Sequence, residues 1–522
     1  MERKGKSLDD LPNELIHRIL RCLDSGSIIA CTLVCRSLHD VIRQSTELQY
    51  LFELGLEGMV DCAAPTMPYQ DRLKELIGHR KAWATLSWRQ SSLRIPGNIE
   101  EPNLYGFVAG VFAKLFEHYM FVTLHLPTMH ETNNRWMKRQ LSSPAKEFVM
   151  DPTQDLVIFL EEDTRMLFSR SWTYNGQRSV CLHIQTLSTG DPHPLARNSI
   201  LTFDIPLHPD EDGRNDIWFS SIKLAVDTIL MQYSVGNDWE EGMHFQFWNW
   251  KTGHGWLIDG YIEFTHCSFI SPRAVVFAST GGTSPSLNVC TFERDPETTE
   301  TTTTHKANLH LPEAVSDSYF DVTAIRIPAI LDLAHVPPSK IAAPPLESHI
   351  NVISLALTVD DDEHELCLFV PNSILLNYAS NPPVGEVPWK DWGQGSTRLI
   401  EMNRTYMNSS YASRVICSSL DSDDPTSIHI LDFNPRRRQE HGLSTTDHGL
   451  TQRTYSTESP TALGLFKDDV YNGLPVWCTT RPLNSSYSAL FIDDERIVGV
   501  KEEPSNESSD DSDCEDADIL AF

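Results

Sequence analysis

From about residue 83 to residue 500 the chain consists of short alternating or doubly apolar runs separated by Gly, Pro, Asn, Asp and Ser, and helical periodicity is nearly absent. FVTLHL at 121–126, DLVIFLE at 155–161, HFQFWNW at 244–250, RAVVFAS at 273–279, ISLALTV at 353–359, LCLFVP at 366–371 and SIHILDF at 427–433 all have the length and texture of strands. So many strands create many exposed edges, and radial repetition of small sheets leaves only short ones open. Residues 84–500 therefore read as a large all-β domain, a β-propeller of six or seven blades, with a large sandwich as the alternative. A 40% apolar content with 12 Trp and 22 Phe is ample for a packed core.

Weak internal repetition supports the propeller. IQTLSTG at 184–190 and FWNWKTG at 247–253 end on the same Thr-Gly, and HILDFNP at 429–435 carries Asp432 where the others have Thr186 and Asn249. These segments resemble degenerate strand ends of WD-repeat blades. The polar stretches 191–215, 293–306 and 435–460 read as mobile insertions, and the acidic residues 501–522 as a disordered tail.

The first sixty residues have a different period. Pro12 suits a first helical turn and Glu14 favours the positive helix end, after which Leu15, Ile16, Ile19, Leu20 and Leu23 recur at helical spacing. Ile28, Cys31, Cys35, Leu38 and Ile42 form a second stripe, and Leu48, Leu51, Phe52 and Leu56 a third. Residues 1–60 are thus expected to make a three-helix bundle, too small to be very stable alone. Leu73, Leu76, Ile77 and Trp83 extend the helical spacing into a connector over 61–83. The fold class is α+β multidomain: a helical bundle, a helical connector, then the β domain.

Within this bundle SLDDLPNELIHRILRCLDSGSIIACTLVCRSLHDVI resembles an F-box from end to end. The Leu8-x-x-Leu11-Pro12-x-Glu14-Leu15 opening, Ile19-Leu20-x-x-Leu23 and Val34-Cys35-Arg36 fall in the family's order. The chain departs from it at the end, where many members carry a Trp and this one has STELQYLFEL. Segments VPWKDWGQGSTRLIE at 387–401, HILDFNP and LFIDDERIVGVK at 490–501 resemble the C-terminal half of F-box proteins abundant in mushroom-forming fungi.

The resemblance implies a substrate-recognition subunit of a cullin-RING ubiquitin ligase. Its bundle would dock a Skp-type adaptor, and through it cullin and RING subunits, while the β domain captures the protein to be ubiquitylated. The adaptor-contacting residues it implies are Leu8, Leu11, Pro12, Ile16, Ile19, Leu20, Val34, Cys35 and Arg36, with Leu11, Pro12, Ile16 and Leu20 as apolar knobs. Leu15, Ile19 and Leu23 are the set that would instead hold the bundle together. The alternative is a propeller scaffold whose helices serve assembly alone.

The remaining chemistry narrows the field. A formal net charge of -30 repels phosphate backbones, so nucleic acid is not expected as a partner. The chain lacks phosphate-binding glycine loops, nucleophile elbows and paired zinc histidines, so no catalytic residue, metal or cofactor is expected. It has no apolar run of membrane-spanning length, and its 11 cysteines are scattered, which fits reduced thiols in cytosol or nucleus. Trp389 and Trp392 read more readily as packing anchors than as a recognition surface.

Overall fold

The computed structural model describes residues 11–62, 67–97, 104–126, 136–161, 177–206, 217–235, 243–258, 264–279, 285–294, 300–315, 319–332, 341–360, 362–402, 410–417, 427–436, 451–455, 464–483, 485–501 and 514–522. Among the described residues the N-terminal bundle has four helices where three were expected: α1 (Asn13–Leu20), α2 (Ser25–Val34), α3 (Arg36–Gln44) and α4 (Thr46–Leu56). The second expected stripe breaks at Cys35, whose backbone is extended at φ -155° and ψ 162°. The break turns the chain so that Leu38, Val41 and Ile42 of α3 pack with Ile16, Leu20, Ile28 and Leu48. Side chains fix the helix starts. Asp24 caps α2 by accepting from Ser27 N at 2.9 Å, and Ser45 caps α4 by accepting from Leu48 N at 3.3 Å. No helix among the described residues is long and apolar enough to cross a membrane.

After helix α5 (Tyr69–Ala84) the described residues form seven antiparallel sheets, six of four strands and one of five. In chain order they occupy 104–140, 145–206, 217–258, 264–310, 319–401 and 410–482 as sheets 1 to 6. Sheet 7 combines Tyr487–Ile492, Arg496–Lys501 and Cys514–Ala521 with Arg89–Pro96 from the other end of the domain. Each sheet packs its faces on two neighbours. Phe148 and Phe159 of sheet 2 meet Phe121 of sheet 1, and Phe245 and Phe247 of sheet 3 meet Phe269 and Phe277 of sheet 4. Val352 and Phe369 of sheet 5 meet Val415 and Leu431 of sheet 6. The circuit ends where Val498 and Ile519 of sheet 7 pack on Phe112 and Leu124 of sheet 1. This is a closed β-propeller-like ring, not a sandwich of two sheets.

The repeats seen in the sequence share one place in it. The strands Gln177–Thr186, His244–Asn249 and Ser427–Asp432 are third in their sheets, and each runs into one of the repeated turns. Gly190 and Gly253 take positive φ there, at 82° and 75°, which a side chain would strain.

The closing sheet corrects the reading of the C-terminus. Cys514–Ala521 is a strand paired on one side with Arg89–Pro96 and on the other with Arg496–Lys501. Two of its three acidic side chains are satisfied inside the fold. Glu515 is paired to Lys114 at 3.2 Å and accepts from the Tyr105 hydroxyl. Asp518, fully buried, accepts from Ser92 Oγ at 3.0 Å, Gln90 Nε2 at 3.1 Å and the Tyr487 hydroxyl at 2.9 Å, and pairs with Lys501 at 3.1 Å. Composition counts these charges as repulsive; the fold supplies Glu515 and Asp518 with donors, while Asp516 stays exposed to solvent. The rest of the expected tail, 502–513, lies outside the described residues.

The expected insertions are corrected in part for a related reason. Thr301–His310 is the outer strand of sheet 4, Ile200–Pro206 that of sheet 2 and Thr451–Tyr455 that of sheet 6. An outer strand needs little apolar content, and β-branched threonines suit it.

The first strands of sheets 2 to 5 are cross-linked by partly buried polar groups. Lys223 of sheet 3 donates to Cys267 O at 2.6 Å in sheet 4 and to Ile325 O at 3.4 Å in sheet 5. Glu147 of sheet 2 accepts from Ile222 N of sheet 3 at 3.1 Å, and burial pushes its carboxyl up to about 7.

Two measurements follow from this architecture. Asp518→Ala leaves the Tyr487 hydroxyl and the Gln90 amide without their acceptor, so urea unfolding of the full chain should show a loss of about 2–4 kcal/mol; wild-type stability would mean that the strand is not held this way. Because the folded chain keeps the Glu147 proton to higher pH than the unfolded chain, its contribution to stability falls as pH rises from about 4.5 through about 7. Glu147→Gln should therefore lose less stability than wild type between pH 5 and pH 8, and identical pH dependences would place that proton elsewhere.

Candidate functional site

The resemblance residues among those described lie just before and along α1 and at the junction of α2 with α3, where the structure divides them differently from the sequence pattern. Ile16 and Leu20 are only 2% exposed each and form the bundle core, so they are not surface knobs. Leu15 and Ile19, 44% and 43% exposed, stand on the outer side of α1 with Pro12. The apolar arc of α1 is wider than one face, and α3 and α4 cover the column through 16, 20 and 23. Leu11 is half-buried against that core, as is Leu23. Leu8 lies outside the described residues.

At the end of α2 the exposure is greater. Leu33 is 81% exposed and Val34 71%, with Cys35 half-buried and Arg36 exposed. The sequence reading passed over Leu33. Its signal was the run IIACTLV, apolar around most of the helix although α2 buries only Ile28 fully. A helix of that kind has neighbours on more than one side.

An F-box-like family model matches residues 8–48. Residues 8–48 are an F-box-like domain. No curated protein matches the chain. Solved structures with similarity to it include the WD40 domain of Toxoplasma gondii coronin, at 10% identity over 83% of this chain and 86% of that one, with a TM-score of 0.36. Kluyveromyces lactis Hsv2 is similar at 12% identity over 64% of this chain and 75% of that one, TM-score 0.30. A second Kluyveromyces lactis Hsv2 structure, with complete loop 6CD, matches at 10% identity over 39% of this chain, TM-score 0.24, and the match spans 61% of that chain's length. The ring described above rests on its own strand pairing.

The F-box-like domain is seated on the ring by the elements that follow it. Val60–Asp61 pairs with Ala342–Ala343, a short strand inserted in sheet 5. Fully buried Tyr50 of α4 donates to Asp61 at 3.0 Å and to Ile341 O at 3.1 Å; burial and the Asp61 carboxylate push its phenol pKa up. Arg72 of α5 pairs with the same carboxylate at 3.3 Å, and Arg80 bridges to Glu53 at 2.6 Å and Glu57 at 3.0 Å. From sheet 6, Asn434 donates to Leu56 O at 2.7 Å and Arg436 to Gly55 O at 3.0 Å. A Cβ on Gly55 would lie 2.8 Å from the Ser25 Cβ, so glycine lets α4 close against α2.

Trp389 and Trp392 belong to the core side of the ring. Trp392 is 3% exposed, donates to His310 O at 2.8 Å and packs edge-on to Trp389.

The division of α1 into an inner and an outer column is measurable. Ile16→Ala or Leu20→Ala should cost about 2–5 kcal/mol of bundle stability by amide hydrogen exchange in the full chain. Leu15→Ala or Ile19→Ala should each cost under about 1 kcal/mol; equal losses at all four positions would contradict the division.

Proposed function

We propose that this chain is the substrate receptor of a cullin-RING ubiquitin ligase, its F-box-like domain docking a Skp-type adaptor and its ring binding the protein to be ubiquitylated. The observation that carries the reading is the exposure of Leu33 and Val34 on the F-box-like domain itself. Burying such side chains against a partner contributes about 1.5–3 kcal/mol each. Pro12, Leu15 and Ile19 extend the apolar contact, and Arg36 adds a charge beside it. Leu11 supports the start of α1 from beneath.

The chain itself then performs no bond-making step. A receptor of this kind acts by proximity, raising the effective concentration of its captured protein near the conjugating enzyme. The place of work would be cytosol or nucleus, where the adaptor and cullin subunits are found.

Co-purification of the full chain with adaptor and cullin tests the assignment. Leu33→Asp with Val34→Asp should reduce adaptor affinity by more than about a hundredfold, since two apolar contacts become desolvated charges, while the melting temperature stays near wild type. Capture of adaptor at wild-type yield by the double variant would sink the docking surface. Failure of the wild-type chain to capture adaptor at all would favour the scaffold reading.

A further inference from the structure

In the other sheets the first and second strands are joined by tight turns, whereas in sheet 5 the connection runs from 327 to 349. The residues just after Arg326 meet the first strands of sheets 1, 6 and 7, or the turns that follow them, around a pocket of about 210 Å³. The helices are seated at the same end of the ring, where Asp494 O accepts from the Trp83 indole of α5 at 2.9 Å.

Phe107, Val108, Leu331 and Ile492 give the pocket apolar walls. Arg326 and Asp493 also line it, and the two charges are satisfied very differently. Asp493 is 2% exposed, and its carboxylate accepts from Glu495 N at 2.8 Å, Arg496 N at 2.7 Å and Arg496 Nη1 at 3.0 Å. Arg326 is partly buried and donates from Nη1 to Ser354 Oγ at 3.0 Å. Its Nε and Nη2 have no partner among the described residues, and neither is sealed from solvent. Those two nitrogens form one edge of the guanidinium, the fork that takes a carboxylate bidentately. A second cation reaches the same strand: Lys223 of sheet 3 donates to the carbonyl of Ile325 at 3.4 Å. Burial pushes both pKa values down, and the Arg326 charge adds to the fall at Lys223. Although the chain carries a formal net charge of -30, no carboxylate among the described residues forms an ion pair with either cation. A partly buried charge without a counterion is costly, and an anion brought to it recovers that cost.

We propose that this pocket binds a small organic carboxylate, held by the Nε and Nη2 edge of Arg326 with its apolar body against Phe107, Val108, Leu331 and Ile492. The volume falls below the roughly 300–1,000 Å³ of drug-sized sites, so the occupant is a small molecule and not a length of chain. The Asp493 carboxylate in the lining disfavours a second negative charge, which selects a monoanion over a phosphate dianion. The site is separate from the residues of α1 and α2 proposed to dock an adaptor, so it stands or falls independently of that docking. Its occupant would tie the sheet 5 connection to sheets 1 and 7, whose contact closes the ring.

Ligand-observed NMR titration of the full chain with benzoate, benzamide and phenyl phosphate tests the site. Benzoate should bind wild type even though the net charge of the chain repels anions in general. Benzamide has the same shape without the charge, and phenyl phosphate is a dianion near neutral pH; each should bind at least about tenfold more weakly than benzoate. Arg326→Gln should weaken benzoate by at least about tenfold and leave benzamide within about twofold of wild type. Benzoate should also slow amide exchange at 326–331 and 492–496 of the wild type. The proposal is overturned if benzoate does not bind wild type, if benzamide or phenyl phosphate binds as tightly as benzoate, if exchange at both segments is unchanged, or if Arg326→Gln binds benzoate as wild type does. The wild-type probe series and its exchange pattern decide the matter even if the variant fails to fold.

Discussion

A ring of sheets is only as stable as its closure, and here closure depends on one strand drawn from the end of the chain. Cys514–Ala521 lies between Arg89–Pro96 and Arg496–Lys501 and pairs with both at once. Without it both strands would present unpaired edges, and Ile519 and Ala517 would leave the core shared by sheets 7 and 1. Asp518 fixes the strand's position by gathering hydrogen bonds from Gln90, Ser92 and Tyr487. Buried polar groups of this kind add specificity of register where apolar contacts alone would tolerate a slip.

The same strand ends at the helical seat. Phe522 stacks on Trp83 of α5, with ring centroids 3.9 Å apart, and the Trp83 indole donates to Asp494 O at 2.9 Å. The Arg414 guanidinium of sheet 6 also lies over the Trp83 ring, 4.7 Å from its centroid. Closure of the ring and attachment of α5 are therefore one structural event. The F-box-like domain, too small to be stable on its own core alone, gains from α4 and α5 a second core around Tyr50, Leu54 and Leu76. Its exposed side chains are thereby presented from a fixed base.

The long connection in sheet 5 joins these two themes. It replaces a tight turn, reaches across to sheet 3 and returns to pair with the segment between α4 and α5. A single stretch of chain thus touches both sheet 3 and the base of the F-box-like domain.

Sequence alone determined the class of each region, because residue periods are local: the helical spacing of Ile16, Leu20 and Leu38, the motif from Leu8 to Arg36, and the strand texture from about residue 83 onward. It also placed the repeated turns after 184, 247 and 429. Tertiary structure decided which column of α1 faces inward, since Leu15 and Ile16 are equally apolar and only α3 and α4 choose between them. It decided that Cys35 ends a helix, a choice made by where Leu38, Val41 and Ile42 can be buried. It turned an acidic terminus into the closing strand, because a carboxylate is costly or stabilising according to the donors around it, and Lys114, Ser92 and Tyr487 lie hundreds of residues away, or two strands away in the same sheet, from Glu515 and Asp518. Partners at that distance leave no trace in local composition, and so they belong to the fold alone.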